Sequence, residues 1–367
     1  MSATTTATDR VEKVVARLAE RELDGLLVTG LVNVRWLTGF TGSNAAAVVG
    51  AAGMRRFLTD FRYLMQSAEQ VDALWEREIG PDLLELAAER LPAGRVGFDD
   101  ALMSVKDHAR LAGLVSGSHP PVELVPAGGL IEELRAIKDA GELDRIRAAA
   151  QLADRALEDV LSRGLAGRTE RDLATDIEFT IRRLGGDGAS FAPIVAAGDH
   201  GALPHAAPRD VAIPEGTLVV VDWGAMLDGY ASDCTRTFAS GEVDPRDAAV
   251  YELVLRAQLA ALAAVRPGPT GREVDAVARE LIESAGHGEH FGHGLGHGVG
   301  LEIHEGPRLS KTGETALAPG MVVTVEPGVY VPGAVGVRIE DLVAVTEDGA
   351  EVLTSLPKEL RVVGPAG

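Results

Sequence analysis

The sequence predicts an α+β protein of two domains. An N-terminal α/β domain spans residues 1–129, and a C-terminal domain over 130–367 is built as a pseudo-symmetric antiparallel sheet with helices behind it. Three observations predict this. A chain of 367 residues exceeds one ordinary core and suits two. Its first third alternates helix-like and strand-like segments. Finally, two later segments repeat each other: Ile213 to Asp222, followed by Asp233, and Leu317 to Glu326, followed by Glu340. In each, a glycine (Gly216, Gly320) stands six residues before an acid that closes a β-branched run, and a second acid follows after a glycine-containing turn.

In the first domain, Val11 to Leu23 has helical spacing of apolar residues and Gly25 to Val28 is a short apolar strand. Ala45 to Val49 and Arg56 to Thr59 form a strand pair around Ala52-Gly53, and Phe61 to Gln70 is helical. Strands over Arg95 to Phe98 and Val122 to Val125 flank a helix from Ser104 to Val115. The loop Pro126-Ala127-Gly128-Gly129 marks the domain boundary. One long helix is expected over Ile131 to Leu161, its interleaved acids and bases being a solvated face. A helix at Glu170 to Leu184, a strand at Phe191 to Ala196, the first acid-bearing hairpin, helices at Pro245 to Val265 and Gly271 to Ala285, a histidine-rich segment and the second hairpin follow. The cleft is expected on the concave face of the sheet, between the two repeats.

Composition narrows the function. A net charge of −20 argues against nucleic acid and against anionic membrane surfaces as partners. No apolar run approaches the ~18 residues of a membrane span. Met1 to Thr8 has neither a basic start nor an apolar core, and is expected to be a disordered lead-in and not a signal peptide. The single Cys234 excludes an internal disulfide and fits a reducing compartment, so a cytoplasmic protein with a buried thiol is expected.

Strand phase turns the repeat into chemistry. Side chains alternate across a strand, so a hairpin brings Asp222 and Asp233 opposite each other, while Arg338 and Glu340, two apart, point the same way. The arginine then orients a metal-binding carboxylate from behind. Four acids suit two divalent cations because their charges offset most of the four positive ones. Between the hairpins, Phe291 to Gly300 places glycine at every second position, which is wrong for a helix and fits an extended strand with His293 and His297 on one side. It lacks the spacing of a phosphate-binding loop, and the helical His-Glu-x-x-His zinc arrangement is absent. His287 and His290 precede it in a flexible stretch, where surface or packing roles are expected. His304 follows an apolar strand and can reach the same cleft.

These residues resemble the pita-bread metallopeptidases, the group that includes prolidase, aminopeptidase P, methionine aminopeptidase and creatinase. The resemblance runs from about Ile131 to Val363. It rests on Val221-Asp222-Trp223-Gly224, Gly229 to Thr237, Gly292-His293-Gly294-Leu295-Gly296-His297, His304-Glu305-Gly306-Pro307, Glu326-Pro327-Gly328 and Gly336 to Asp341. It implies five ligands of a dinuclear centre at Asp222, Asp233, His297, Glu326 and Glu340. It further implies that His293 and His304 contact substrate and stabilise a tetrahedral intermediate, and that His205 is the mobile-loop histidine of the proline-specific members. Asn33 to Ser43 is similar to the N-terminal pattern of the proline peptidases and creatinase. One departure is Gly198-Asp199-His200, where relatives often carry asparagine near His200.

The resemblance therefore implies an Xaa-Pro dipeptidase or aminopeptidase, a cytoplasmic homodimer acting on proline-containing peptides. Its cofactors would be two divalent ions, Mn²⁺ first and Co²⁺, Zn²⁺ or Fe²⁺ as alternatives. Cations ~3.5–4 Å apart would share a bridging hydroxide that attacks the carbonyl before proline. Glu326 is expected to shuttle the proton, His304 and His205 to stabilise the oxyanion, and Arg338 to support the site. The competing readings are a metal-free creatinase-type hydrolase and a catalytically silent binding protein on the same fold.

Overall fold

A computed structural model describes residues 7–365. The expected lead-in lies outside the described residues over 1–6, and the first helix already begins at Ala7. The chain divides into two compact units, Met1–Arg135 and Ala136–Gly367.

The first unit is a six-stranded mixed sheet flanked by helices. Across it the strands run Glu76–Ile79, Arg55–Thr59, Ala45–Gly50, Gly25–Val28, Gly94–Phe98 and Val122–Pro126. Ala45–Gly50 pairs antiparallel with both of its neighbours, and the outer strands and the Gly25–Val28 to Gly94–Phe98 pair are parallel. Central strands are buried on both faces, as the all-buried pattern of Ala45–Gly50 records. The helices Leu31–Thr38 and Leu83–Arg90 and the strand Glu76–Ile79 add to the elements expected from the sequence. Glu76–Ile79 reads Glu-Arg-Glu-Ile and is mostly exposed, an edge strand with charges that deter further pairing.

The expected long helix over Ile131 to Leu161 is instead two, Leu130–Arg135 and Ala140–Leu161. Asp139 is the reason. Its carboxylate accepts from the Glu142 amide at 2.9 Å while the Glu142 carboxylate accepts from the Asp139 amide at 3.0 Å, a capping box that starts a new helix.

The second unit is made of two similarly built halves. In one, helices Ala140–Leu161 and Glu170–Arg183 pack on a three-stranded sheet of Cys234–Ala239, Leu218–Trp223 and Ile194–Ala197. In the other, helices Pro245–Ala264 and Gly271–Ser284 pack on a five-stranded sheet that includes Gly296–Gly298, Val322–Val325 and Asp341–Val345. Gly216 and Gly320 have φ of 77° and 87°, left-handed backbone that turns the chain into the matching strands Leu218–Trp223 and Val322–Val325. The repeated glycine therefore marks the same turn twice.

Two local expectations change. Asp222 pairs with Thr235, not Asp233, because the register sets Trp223 against Cys234 and leaves Asp233 just beyond the strand end. The glycine-rich segment is a strand only over Gly296–Gly298, with a register shift after His297. Bare glycine backbone does let this strand approach its neighbours closely: a Cβ at Gly296 would lie 2.1 Å from the Thr324 carbonyl oxygen.

Candidate metal centre

Strand ends deliver the acids to one place. Asp222 lies in Leu218–Trp223, Asp233 immediately precedes Cys234–Ala239, Glu326 follows Val322–Val325, and Glu340 precedes Asp341–Val345. Carboxylate oxygens of Asp222, Asp233 and Glu340 lie within 4.8 Å of one another. His297 Nε2 is 3.6 Å from Asp233 Oδ2 and 3.3 Å from Glu326 Oε1. All nine residues singled out in the sequence (Asp222, Asp233, His297, Glu326, Glu340, His205, His293, His304 and Arg338) line a single cleft of about 860 Å³ within the second unit.

The surroundings of these side chains fix their orientation. His297 Nδ1 sits 3.0 Å from the Gly298 carbonyl, which can only accept, so Nδ1 carries the hydrogen and Nε2 turns its lone pair to the acids. Burial pushes His297 below the usual imidazole range and keeps it neutral, as a ligand must be. Arg338 Nη2 donates to Asp222 Oδ2 at 2.7 Å. Arg338 Nε donates to Thr235 Oγ1 at 3.0 Å, and Thr235 in turn donates to Glu340 Oε2 at 2.7 Å. Arg338 thus holds Asp222 directly and Glu340 only through a threonine, where strand phase had suggested a direct effect on Glu340.

Each of those acids keeps one bare oxygen. Asp222 Oδ1 and Glu340 Oε1 are buried without a hydrogen-bond partner among the described residues. An orphaned buried carboxylate oxygen is costly unless a cation meets it. Burial, followed by the charges of Glu340, Asp222 and Glu326, pushes Asp233 well above the usual carboxylate range, and burial with Glu326 and Asp222 does the same to Glu340. Burial also raises Glu326, against the pull of His293 and Arg338. Crowded acids with bare oxygens and an imidazole lone pair make a donor set that fits hard or borderline divalent cations.

Around this floor stand the other histidines. The His304 and His297 rings are 4.3 Å apart, and His293 Nε2 accepts from Tyr330 Oη at 2.9 Å while its Nδ1 donates to the Gly294 carbonyl. Tyr330 Oη accepts from Arg338 Nη1 at 2.8 Å, and burial pushes the phenol up to about 12, so it stays a donor to His293. His287 and His290 lie outside the cleft, their Nδ1 atoms 3.1 Å apart, in keeping with a packing role. Cys234 is buried, with Sγ facing the Glu340 carbonyl.

Three supporting residues escaped the sequence reading. Thr235 and Thr324 lie two positions from Asp233 and Glu326, so period-two spacing points to them, although it gives them no role. Thr324 accepts from the His297 amide and donates to Glu326 Oε1, both at 3.0 Å. Tyr330 had no such signal, since only the tertiary fold brings the strand Gly328–Val331 against His293.

Converging carboxylates on a duplicated sheet define a metal-dependent hydrolase. The second unit matches the metallopeptidase family M24 over residues 144–347, and the first matches the creatinase/prolidase N-terminal domain over 10–137. The chain belongs to metallopeptidase family M24. It is 35% identical over 355 residues to an Xaa-Pro dipeptidase of Pyrococcus furiosus, covering 96% of this chain and 99% of the relative. A solved Xaa-Pro dipeptidase from Bacillus anthracis superposes with a TM-score of 0.93 at 38% identity, covering 97% and 100%. An X-Pro aminopeptidase from Thermotoga maritima gives 0.87 at 33%, covering 96% and 99%. The two-domain α+β fold and the peptidase class expected from the sequence are both met. Among the described residues no helix is long and apolar enough to cross a membrane.

Proposed function

We propose that the protein is a dinuclear metallo-exopeptidase that hydrolyses the peptide bond preceding proline. One observation carries the reading: the four acids meet His297 on the floor of one cleft with Asp222 Oδ1 and Glu340 Oε1 left bare. The names of the relatives in Pyrococcus, Bacillus and Thermotoga support the Xaa-Pro specificity.

Asp222, Asp233, His297, Glu326 and Glu340 would hold two divalent cations, of which Mn²⁺ is our choice. When bound, such ions make water acidic near neutral pH and polarise a carbonyl. The chain's own groups do the rest. Glu326 takes the proton of the attacking water and delivers it to the proline nitrogen, a task that suits a carboxyl raised by burial. His304 and His205 donate to the oxygen of the tetrahedral intermediate, and His293, held by Tyr330, orients the substrate. Arg338 fixes the carboxylates before substrate arrives. A buried single thiol and the family resemblance support a cytoplasmic homodimer.

The test is hydrolysis of Ala-Pro, Ala-Pro-Pro and a longer Xaa-Pro peptide by protein reconstituted with Mn²⁺, Co²⁺, Zn²⁺ or Fe²⁺, alongside elemental analysis. Two ions per chain and cleavage before proline are expected, and the preferred peptide length separates dipeptidase from aminopeptidase. Cleavage of none of the three with any ion would overturn the reading.

A further inference from the structure

A buried carboxylate outside the cleft holds both ends of the loop that carries His205. Glu170, at the start of the helix Glu170–Arg183, is 1% exposed. Its oxygens accept from the Ala197 amide at 3.0 Å, where the loop begins, and from the Arg209 amide at 2.9 Å, where it ends. Arg209 also closes on it with Nε at 3.1 Å and Nη2 at 3.0 Å. His200 adds Nδ1 at 3.0 Å from inside the loop.

The remaining loop contacts lead to the cleft. Arg338, which holds Asp222, donates through Nη1 to the Pro204 carbonyl at 3.2 Å, next to His205. The loop backbone also lies against the Arg338-bearing strand, for a Cβ on Gly336 would fall 1.7 Å from the Gly201 carbonyl oxygen. By contrast the His205 ring has no hydrogen-bond partner among the described residues, so its place over the cleft depends on how the loop is held.

We infer that Glu170 is a positioning residue: by clamping Ala197, His200 and Arg209 it sets the placement of His205 at the cleft. Fixing three points of one loop on a single buried anion removes conformations the loop would otherwise sample, so that His205 meets substrate without an ordering cost at each turnover. This rests on His205 acting on the substrate as proposed above.

A double-mutant cycle tests it in the metal-loaded full chain. Glu170→Gln turns an amide NH₂ toward the donors of Arg209. Arg209→Met breaks the loop's exit from a half-exposed position and spares the core. Each is expected to lower kcat/KM on Xaa-Pro substrate by roughly tenfold, as for other residues that orient a functional group, with metal content unchanged and faster hydrogen exchange over residues 198–209. In a His205→Ala background the same substitutions should cost almost nothing more. Wild-type kcat/KM in both variants, or a full additional loss without His205, would overturn the inference. Should the wild type cleave no Xaa-Pro substrate, the substrate reading falls, and unchanged loop protection in Glu170→Gln and Arg209→Met then overturns the clamp as well.

Discussion

Arg338 donates to one oxygen of Asp222 at 2.7 Å and leaves the other, Oδ1, buried and bare. The guanidinium spends its remaining donors on Thr235, Tyr330 and Pro204, so it touches the support of Glu340, His293 and the His205 loop at once. Burial pulls the guanidinium down, yet Tyr330, Asp222 and Glu326 outweigh it and hold it well above its ordinary value. One side chain organises the cleft without being a candidate ligand.

Arg338→Lys should therefore weaken metal binding and turnover together, by about 10–100-fold. A lysine ammonium cannot reproduce the planar fork that reaches Asp222, Thr235 and Tyr330 in one geometry. Titration calorimetry with Mn²⁺ and steady-state kinetics would check this, and an unchanged affinity would place Arg338 outside the metal support.

Asp233→Ala removes an acid that faces both Glu340 and His297. We expect a metal content below two ions per chain and a loss of turnover beyond the roughly 100-fold upper range of supporting residues. Elemental analysis and a peptide assay on the same sample are the measurement. Full activity in this variant would sink the assignment of the metal site.

Cation binding should release protons at neutral pH. In the metal-free cleft, burial and mutual repulsion raise Asp233, Glu340 and Glu326. These raised groups favour the metal-free fold below the ordinary carboxylate pKa, and that contribution is lost as pH rises through their folded values. Cations reverse the sign, because they need the acids ionised. Calorimetry in two buffers of different ionisation enthalpy should show net release at pH 7 and weaker apparent affinity at pH 5.5. Equal heats in both buffers would contradict it.

Asp99 gives the N-terminal domain its own pH dependence. Burial pushes its carboxyl up to about 6, against the Gly30 and Thr29 amides that donate to it and with Glu132 adding to the rise. Its stabilising contribution is whole below about pH 4 and is lost as pH climbs through about 6. Relative to Asp99→Asn, the wild type should lose about 2–3 kcal/mol between pH 4 and 7.5. Chemical unfolding of both proteins at the two pH values measures the difference, and a pH-independent gap would refute it.

Much of the site was legible because strands write their geometry into spacing. Gly216 and Gly320 announce the same left-handed turn, and the acids six residues later inherit the same place at a strand end. Thr235 and Thr324 follow from period two once Asp233 and Glu326 are known. The helix expected to run from Ile131 was less legible, since interleaved acids and bases run on across Asp139 while the capping box that starts the second helix there depends on local backbone geometry.

Taken alone, the sequence pointed to two domains and to four acids on repeated hairpins, because turn chemistry and side-chain alternation act over a few residues, while its resemblance to a known family added His297 as the fifth candidate ligand and the histidines around it. Tertiary structure alone decided that Arg338 grips Asp222 and reaches Glu340 through Thr235, that Tyr330 meets His293, and that Glu170 holds the His205 loop. Those partners lie 30 to 116 positions apart in the chain. Tertiary packing within and between the two halves brings such donors and acceptors within reach, and burial then makes each contact costly to lose.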